Sequence, residues 1–277
     1  MTNMNPLIRK SHNFYRTEPF PKMRNFILDI MEEGKRKDIV YITFQVDVTE
    51  FSELIQNKKN NSGKPISLTS YITYCFSKTV NEQKHMHALR KGKKLVIFDE
   101  VDLAIIIERK VEGILQPVSY IIRSANNKSF KEIQTELRKA KKAPLGENMA
   151  LNKFETFFFK LPKIIRKILW WTSRRNPKIR KKFVGTVGLT SLSMFGSGKI
   201  YAFPITPMTL TLAVGTITSE ISLNKGIFQS RKMLNLTLCA DHDIIDGAPM
   251  MRFINRLKSI IQDQNGNISL NKDTLEI

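Results

Sequence analysis

Cysteine is scarce in this sequence. Its 277 residues include only Cys75 and Cys239, with no Cys-x-x-Cys pair, which argues against a disulfide framework and against a thiolate metal site. No stretch reaches the 18 consecutive apolar residues of a membrane-spanning helix, and the N-terminus lacks the apolar core of a signal peptide. We therefore expect a cytoplasmic protein without a bound metal.

Acidic residues are also few relative to basic ones. Lysine and arginine number 45 against 25 aspartates and glutamates, which gives a formal net charge of +20. Such an excess indicates an anionic partner, such as nucleic acid, anionic lipid or a phosphorylated ligand. The composition, 42% hydrophobic and 25% charged, is that of a globular protein. We expect one domain over residues 1–277, with a polar tail at 1–20.

Hydrophobic periodicity predicts helices mixed with strands. Helical spacing occurs near 23–31, at 67–81 with Ser67 or Thr69 as N-cap, at 129–142 and from Pro249 onward. Strand patterns cover 38–48, 93–100, 102–110, 113–123 and 185–193, and a hairpin is predicted from 209–221 and 231–242 around Asn224, Lys225 and Gly226. This order indicates an α/β fold with a mixed sheet.

The most distinctive residue pattern lies at the end of the last predicted strand. Alternation places His242 at the end of an apolar row formed by Leu234, Leu236, Leu238 and Ala240. A neutral imidazole in that position can act as a base near pH 7. Asp246 and Gly247 follow just before the last helix, where an aspartate can cap the helix and stay ionised. From spacing alone, purely structural roles for His242 and Asp246 remain open.

Other reactive side chains give weaker patterns. Cys239 lies on the strand face opposite His242, and Cys75 lies on an apolar helix face, so we expect both to pack in the interior. His85 and His87 form a His-x-His pair without an evident third ligand, and we expect them at the surface.

Two C-terminal blocks resemble a known enzyme family. ADHDIIDGAPMMRFINRL (240–257) resembles the His-x-x-x-Asp-Gly motif of chloramphenicol acetyltransferase and of the dihydrolipoyl acyltransferase cores of 2-oxo acid dehydrogenase complexes. GTVGLTSLSMFG (185–196) resembles the Gly-Thr-x-x-x-Ser-x-x-Gly-x-x-Gly block of the dihydrolipoyl core. Residues 204–217 and 101–118 resemble further segments of that core, so the resemblance covers roughly residues 20–265.

The resemblance implies a chloramphenicol acetyltransferase-like two-layer fold, with a mixed sheet and packed helices, and a CoA-dependent acyltransferase. The enzyme would move an acyl group between a CoA or lipoyl-type thioester and an unidentified thiol, hydroxyl or amine acceptor, with acyl-CoA as a substrate. His242 would be the general base. A hydroxyl at Thr190, with Ser191 as the fallback, would stabilise the oxyanion.

The resemblance also implies a homotrimer, in which His242 and Thr190 come from neighbouring subunits. Asp246, followed by Gly247, would hold the active-site loop, with Arg24 as a candidate partner for its carboxylate.

Several residues depart from the family pattern. Thr190 stands where serine is usual, and Asp243 stands where the dihydrolipoyl enzymes favour arginine. Asp241 before His242 replaces the His-His pair of chloramphenicol acetyltransferase, which disfavours drug acetylation. We see no lipoyl domain and no lipoyl attachment site before the core, so we expect a free-standing relative. An alternative is a catalytically inactive trimeric scaffold or membrane-surface binding module of the same fold.

Half of the charge excess lies in residues 153–182, which hold 11 basic residues against one acidic residue. A helical projection separates an apolar side (Leu161, Ile164, Ile165, Ile168, Leu169, Trp171) from a basic side (Lys163, Arg166, Lys167, Arg174). This pattern is typical of an amphipathic helix that docks on an anionic membrane, which would place the protein peripherally at the inner face of the membrane. Alternatively, the apolar side packs on the domain or on a trimer neighbour. We do not expect nucleic acid as a partner, because the aromatic residues lie on the apolar side.

Overall fold

A computed structural model describes residues 15–20, 24–61, 66–111, 114–142, 161–193, 196–224 and 226–262. The helices in these ranges are α1 (Arg24–Gly34), α2 (Thr49–Asn61), α3 (Leu68–Glu82), α4 (Phe130–Lys142), α5 (Lys163–Arg175), α6 (Pro177–Phe183) and α7 (Gly247–Gln262). The strands are β1 (Ile39–Asp47), β2 (Leu89–Lys91), β3 (Lys94–Val96), β4 (Leu103–Val111), β5 (Ile114–Ile122), β6 (Val187–Ser191), β7 (Leu210–Asn224) and β8 (Ile227–Asp241).

The central element is a six-stranded sheet in the order β1-β8-β7-β6-β4-β5. β6 runs parallel to both β4 and β7, whereas β1–β8, β7–β8 and β4–β5 are antiparallel pairs. The sheet is therefore mixed, as the sequence predicts. β7 and β8 form the predicted hairpin, and the strands extend three and four residues further toward the turn than their patterns indicate.

The larger hydrophobic core lies between one face of the sheet and four helices. Its members come from the central strands and from α2, α3, α4 and α7. Phe51 stacks on Tyr71 with ring centroids 4.0 Å apart, and Phe76 meets Phe253 edge-on at 5.9 Å. The buried hydroxyl of Tyr71 donates to the carbonyl of Ile261 at 2.8 Å. These contacts hold α7 against α3. The loop between β8 and α7 therefore connects two elements that are fixed in position.

A smaller cluster covers part of the opposite face. It contains Ala104, Ile121, Trp170, Val184 and Met208, with side chains of α1 and α6 packed against it. β4 thus contributes to both clusters, since its alternate residues point to opposite sides of the sheet. The buried Trp170 brings α5 onto this second face.

Three local predictions have clear outcomes. Ser67 is the N-cap of α3, and its side chain accepts from the backbone N–H of Ser70, as predicted. The predicted strand at 93–100 is wrong, because only Lys94–Val96 is extended. It pairs with Leu89–Lys91 in a separate ribbon that turns at Gly92, whose φ is +61°. α2 was not predicted, since its polar sequence carries little periodicity.

His87 is buried, so the expected surface position is wrong for this residue, whereas His85 is exposed. Both residues lie in a short 3-10 helix, Lys84–His87. The His87 Nε2 lies 3.0 Å from the carbonyl of Phe98, and burial lowers the pKa of His87 to about 4. Its ring is therefore neutral at pH 7 and serves packing.

Within the described ranges, no helix is long and apolar enough to cross a membrane. The single-domain boundary stays a prediction, and the predicted tail at 1–20 lies largely outside the described residues.

Candidate active site

The loop between β8 and α7 presents His242 and Asp246. The backbone N–H of His242 donates to the carbonyl of Asp38 at 2.8 Å, and the N–H groups of Ile244 and Ile245 donate to the carbonyl of Asp241 at 3.1 and 3.0 Å. The carbonyl of Asp246 accepts from the N–H of Met250 at 3.1 Å, which starts α7. Backbone hydrogen bonds at both ends therefore set the shape of this loop.

The His242 and Asp246 side chains face solvent. They are 50% and 81% exposed, and the His242 Nδ1 lies 3.9 Å from the Asp246 Oδ1. This distance exceeds a hydrogen bond, so the imidazole has no hydrogen-bond partner in the part of the chain described here. The Asp246 carboxylate likewise makes no helix-capping bond among these residues. A Cβ at Gly247 would meet nothing within 4 Å.

The residue before His242 in the chain, Asp241, forms a partly buried ion pair. Asp241 is buried and accepts a hydrogen bond from the Nζ of Lys37. The backbone N–H of Asp243 also donates to the Asp241 carboxylate, at 3.3 Å. Burial lowers the pKa of Lys37, opposed by its bond to Asp241. The sequence alone does not identify Lys37 as the partner of Asp241, because only the β1–β8 pairing brings the two residues together.

The acidic residue that follows His242 is also paired. The Asp243 carboxylate accepts from the Nη1 of Arg90, on β2, at 2.9 Å, and both side chains are exposed. The negative charge beside His242, a departure from the family pattern, is therefore compensated by an arginine from the β2–β3 ribbon.

Thr190 and Ser191 lie near the end of β6. The half-buried Thr190 lines a cavity of about 280 Å³, and its hydroxyl has no hydrogen-bond partner within the described residues. The hydroxyl of Ser191 instead lies 3.0 Å from the hydroxyl of Ser193. Of these two predicted donors, Thr190 has the free hydroxyl.

Within one chain, Thr190 and His242 are far apart. Thr190 pairs with Ala213 of β7, which pairs with Thr237 of β8, five residues before His242. With strands about 4.8 Å apart and a rise of about 3.3 Å per residue, the separation is roughly 20 Å. One subunit therefore does not bring these two residues to one reacting atom.

Arg24 is the first residue of α1 and is exposed. Within the described ranges, Arg24 does not form an ion pair with Asp246. The role given to Arg24 stays a prediction.

The two cysteines are buried, as predicted. Burial raises the pKa of Cys239 to about 12 and also raises the pKa of Cys75. Both thiols are thus protonated and shielded at neutral pH, which suits packing and not nucleophilic chemistry.

The described part of the basic segment forms α5 and α6, and most of its apolar side does not pack on the domain, contrary to that one expectation. Arg166 is buried and its Nε donates to Asp29 of α1 at 2.7 Å, while Arg174 pairs with Glu33 of the same helix. The apolar residues Ile164, Ile165, Ile168 and Trp171 are exposed instead. Lys153 and Lys160, at the start of the segment, lie outside the described residues.

Residues 12–159 and 174–268 match the family model of the 2-oxoacid dehydrogenases acyltransferase (catalytic domain). The chain belongs to this family. The match is interrupted at 160–173, a stretch that includes most of α5.

Two curated relatives illustrate the similarity. The dihydrolipoyllysine-residue acetyltransferase component of the pyruvate dehydrogenase complex of Rickettsia prowazekii (strain Madrid E) is 21% identical over 267 residues, covering 95% of this chain and 58% of the relative. The dihydrolipoyllysine-residue succinyltransferase component of the 2-oxoglutarate dehydrogenase complex of Staphylococcus aureus (strain USA300) is 21% identical over 272 residues, covering 92% and 56%. The chain thus spans about half the length of these relatives.

Solved structures show the same fold. A probable dihydrolipoamide acetyltransferase from Listeria monocytogenes 4b F2365 superposes with a TM-score of 0.66 at 18% identity, covering 91% of this chain and 98% of that one. The cubic core of the pyruvate dehydrogenase multienzyme complex gives a TM-score of 0.65 at 17% identity, covering 95% and 98%. These superpositions confirm the predicted fold, and the family match agrees with the predicted acyltransferase class.

Proposed function

We propose that this chain is a CoA-dependent acyltransferase in which His242 is the general base. The observation that carries the proposal is the imidazole of His242, exposed at the end of a central strand and held by its backbone. In the described residues neither ring nitrogen has a hydrogen-bond partner, so one of them is available to a substrate proton. The family assignment supports the reaction class.

The proposed step is a direct transfer between thioester and acceptor. His242 takes the proton from the acceptor, for example a thiol, and the resulting nucleophile attacks the thioester carbonyl carbon. The tetrahedral oxyanion accepts a hydrogen bond from the Thr190 hydroxyl. Collapse of the intermediate breaks the old C–S bond, and the departing thiolate takes the proton back from His242.

Thr190 is the preferred oxyanion donor because its hydroxyl is free, whereas the Ser191 hydroxyl is engaged with Ser193. The proposed role of Asp246 is to hold the active-site loop, and its carboxylate lies 3.9 Å from the imidazole of His242. In an assembly, Arg24 is the candidate that would hold the Asp246 carboxylate.

The proposed active form is a homotrimer with sites between subunits. The separation of roughly 20 Å between Thr190 and His242 in one chain supports this arrangement, because the reaction needs both at one carbonyl. A solved relative of the same fold is described as a cubic core, which supports a larger assembly.

A second proposed property is peripheral attachment to an anionic membrane through α5. Ile164 and Trp171, which are 74% and 47% exposed, lie on its outer side. Lys163 and Arg175 are exposed at its two ends. Exposed apolar side chains flanked by cations are the arrangement that inserts into an anionic lipid surface.

The function is tested with the intact chain and a panel of acyl-CoA donors, with free CoA detected as a thiol. Dihydrolipoamide, a drug alcohol and a lipid amine serve as acceptors. We expect turnover with at least one pair, and we expect His242→Ala to reduce the rate by about a hundredfold to ten-thousandfold. Thr190→Ser should retain most activity, whereas Thr190→Val should lose about a hundredfold or more. An unchanged rate in His242→Ala would remove this residue as the base and would favour the scaffold alternative.

A further inference from the structure

The cavity beside Thr190 is almost entirely apolar. It measures about 280 Å³ and is bounded by Ile30 of α1, Ala104 and Ile106 of β4, Trp170 of α5 and Met208 before β7. Two of its hydroxyl groups, those of Thr206 and Thr211, lie 2.8 Å apart and satisfy each other. Apart from the hydroxyls of Thr190 and Ser119, the side chains of the remaining wall are apolar, so it favours an apolar ligand.

The cavity is deep enough to shelter a chain and still open at one side. Ala104, Trp170 and Met208 are buried at its base, whereas Ile106 and Ile205 are exposed at its rim. An apolar cavity of about 150 Å³ holds a six-carbon ring without water. A volume of about 280 Å³ therefore corresponds to roughly eight to eleven carbon atoms.

The helix that carries Trp170 lies almost wholly outside the family match, which is interrupted at 160–173. Trp170, 8% exposed, is the α5 residue that is buried in the smaller cluster. The Arg166–Asp29 and Arg174–Glu33 pairs hold α5 on α1. The wall formed by Trp170 thus lies outside the family match and is fixed in position by two ion pairs.

We propose that this cavity binds the acyl group of the donor and selects an unbranched hydrocarbon chain of medium length. The proposal rests on the proposed function, because it places the thioester carbonyl at Thr190 with the chain extending away from it into the cavity. Each methylene that enters an apolar site gains about fourfold in affinity. The affinity gain ends when the chain reaches Trp170.

The first experiment measures binding, with the inactive His242→Ala variant and acyl-CoAs from acetyl to hexadecanoyl in a calorimeter. We expect the affinity to rise by about fourfold per methylene up to roughly ten carbons and then to level off. An affinity that is independent of chain length would overturn the proposal, and would indicate that the cavity is filled by a second copy of the chain or by no substrate.

The second experiment changes the cavity and measures the ratio of kcat/KM for decanoyl-CoA and acetyl-CoA. Ile106→Trp narrows the exposed rim and should lower this ratio by about tenfold or more. Trp170→Ala lengthens the cavity and should move the preferred donor to twelve or more carbons, by about the same factor. Leu169→Ala is the matched control, because Leu169 packs in the same cluster without lining the cavity, and it should leave the ratio unchanged.

The outcomes separate the two proposals. Absence of turnover with every donor would contradict the proposed function. Turnover with a ratio that neither cavity variant changes would overturn only the acyl-binding role. If both variants instead change the KM for dihydrolipoamide equally with every donor, the cavity binds the acceptor chain, and the proposal is wrong.

Discussion

The guanidinium of Arg166 and the carboxylate of Asp29 form a buried ion pair that joins α5 to α1. The Nε–Oδ2 distance is 2.7 Å, and both side chains are less than one tenth exposed. Arg166 also donates to the carbonyl of Leu161 at 2.8 Å, at the start of the helix. The pair decides which side of α5 faces the domain, and so places Trp170 inward and Ile164 outward.

Removing one partner of this ion pair should destabilise the protein strongly. Arg166→Met leaves the Asp29 carboxylate buried without a cation, and we expect the free energy of unfolding to fall by about 3–5 kcal/mol in urea denaturation. The double variant Asp29→Leu/Arg166→Met replaces both charges and should recover most of this loss. Lys167→Met is the control, since its exposed pair with Glu32 contributes about 1 kcal/mol or less. A double variant as unstable as the single one would contradict this account.

Subunits that each lack one catalytic group should complement one another. Equal amounts of His242→Ala and Thr190→Val chains, unfolded together and refolded, are expected to recover about a quarter of the wild-type activity. This fraction follows because random cyclic assembly pairs an intact His242 with an intact Thr190 at about one site in four. Each variant refolded alone is the control. A mixture no more active than its components would place both residues of each site in one subunit.

Acid should destabilise the fold through His87. Burial lowers the pKa of His87 from 6.5 to about 4, so the unfolded chain binds its proton first as the pH falls. The stability is then complete above pH 6.5 and decreases between pH 6.5 and 4, by about 3 kcal/mol in all. His87→Gln should remove this part of the pH dependence, whereas the exposed neighbour change His85→Gln should leave it in place. Urea titrations at several pH values measure it, and equal pH profiles for wild type and His87→Gln would refute the assignment.

The membrane proposal predicts that the intact protein pellets with anionic vesicles at low salt. Ile164→Ser/Ile168→Ser should reduce the bound fraction by roughly tenfold, because it removes apolar side chains that would enter the lipid. Ile221→Ser/Ile227→Ser is a matched control, since these isoleucines are equally exposed at the far end of the β7–β8 hairpin. Failure of the unaltered protein to pellet at low salt would end this proposal.

The elements around His242 could be predicted from the sequence because they are local. A period of two over β8 and a period of three to four over α7 leave one short loop between them, and that loop contains the motif. The same alternation did not reveal that Asn235, Thr237 and Asp241, on the other face of β8, are buried as well. Segments distant in sequence reach this part of the sheet: the hydroxyl of Tyr41 donates to the carbonyl of Pro204, and the backbone N–H of Ile200 donates to the hydroxyl of Thr216.

The amphipathic pattern of α5 was visible in the sequence, but its orientation was not. A helical projection identifies two sides, and the usual expectation is that the apolar side is buried. Here acidic residues of α1 lie opposite the basic side, so that Arg166 and Arg174 face inward and the isoleucines face solvent. Charge complementarity between helices more than a hundred residues apart cannot be recognised from the local sequence of either helix.

By itself the sequence determined the strands of the six-stranded sheet, the main helices, the His242 loop and the family, because these depend on spacing along the chain and on short motifs. Only the tertiary structure showed which hydroxyl of β6 is free and that Lys37 reaches Asp241. It also showed that Thr190 and His242 lie too far apart to act within one chain, and that Trp170 closes an apolar cavity. Each of these depends on the pairing of strands and helices distant in sequence, where packing and ion pairing, and not local preference, determine the outcome.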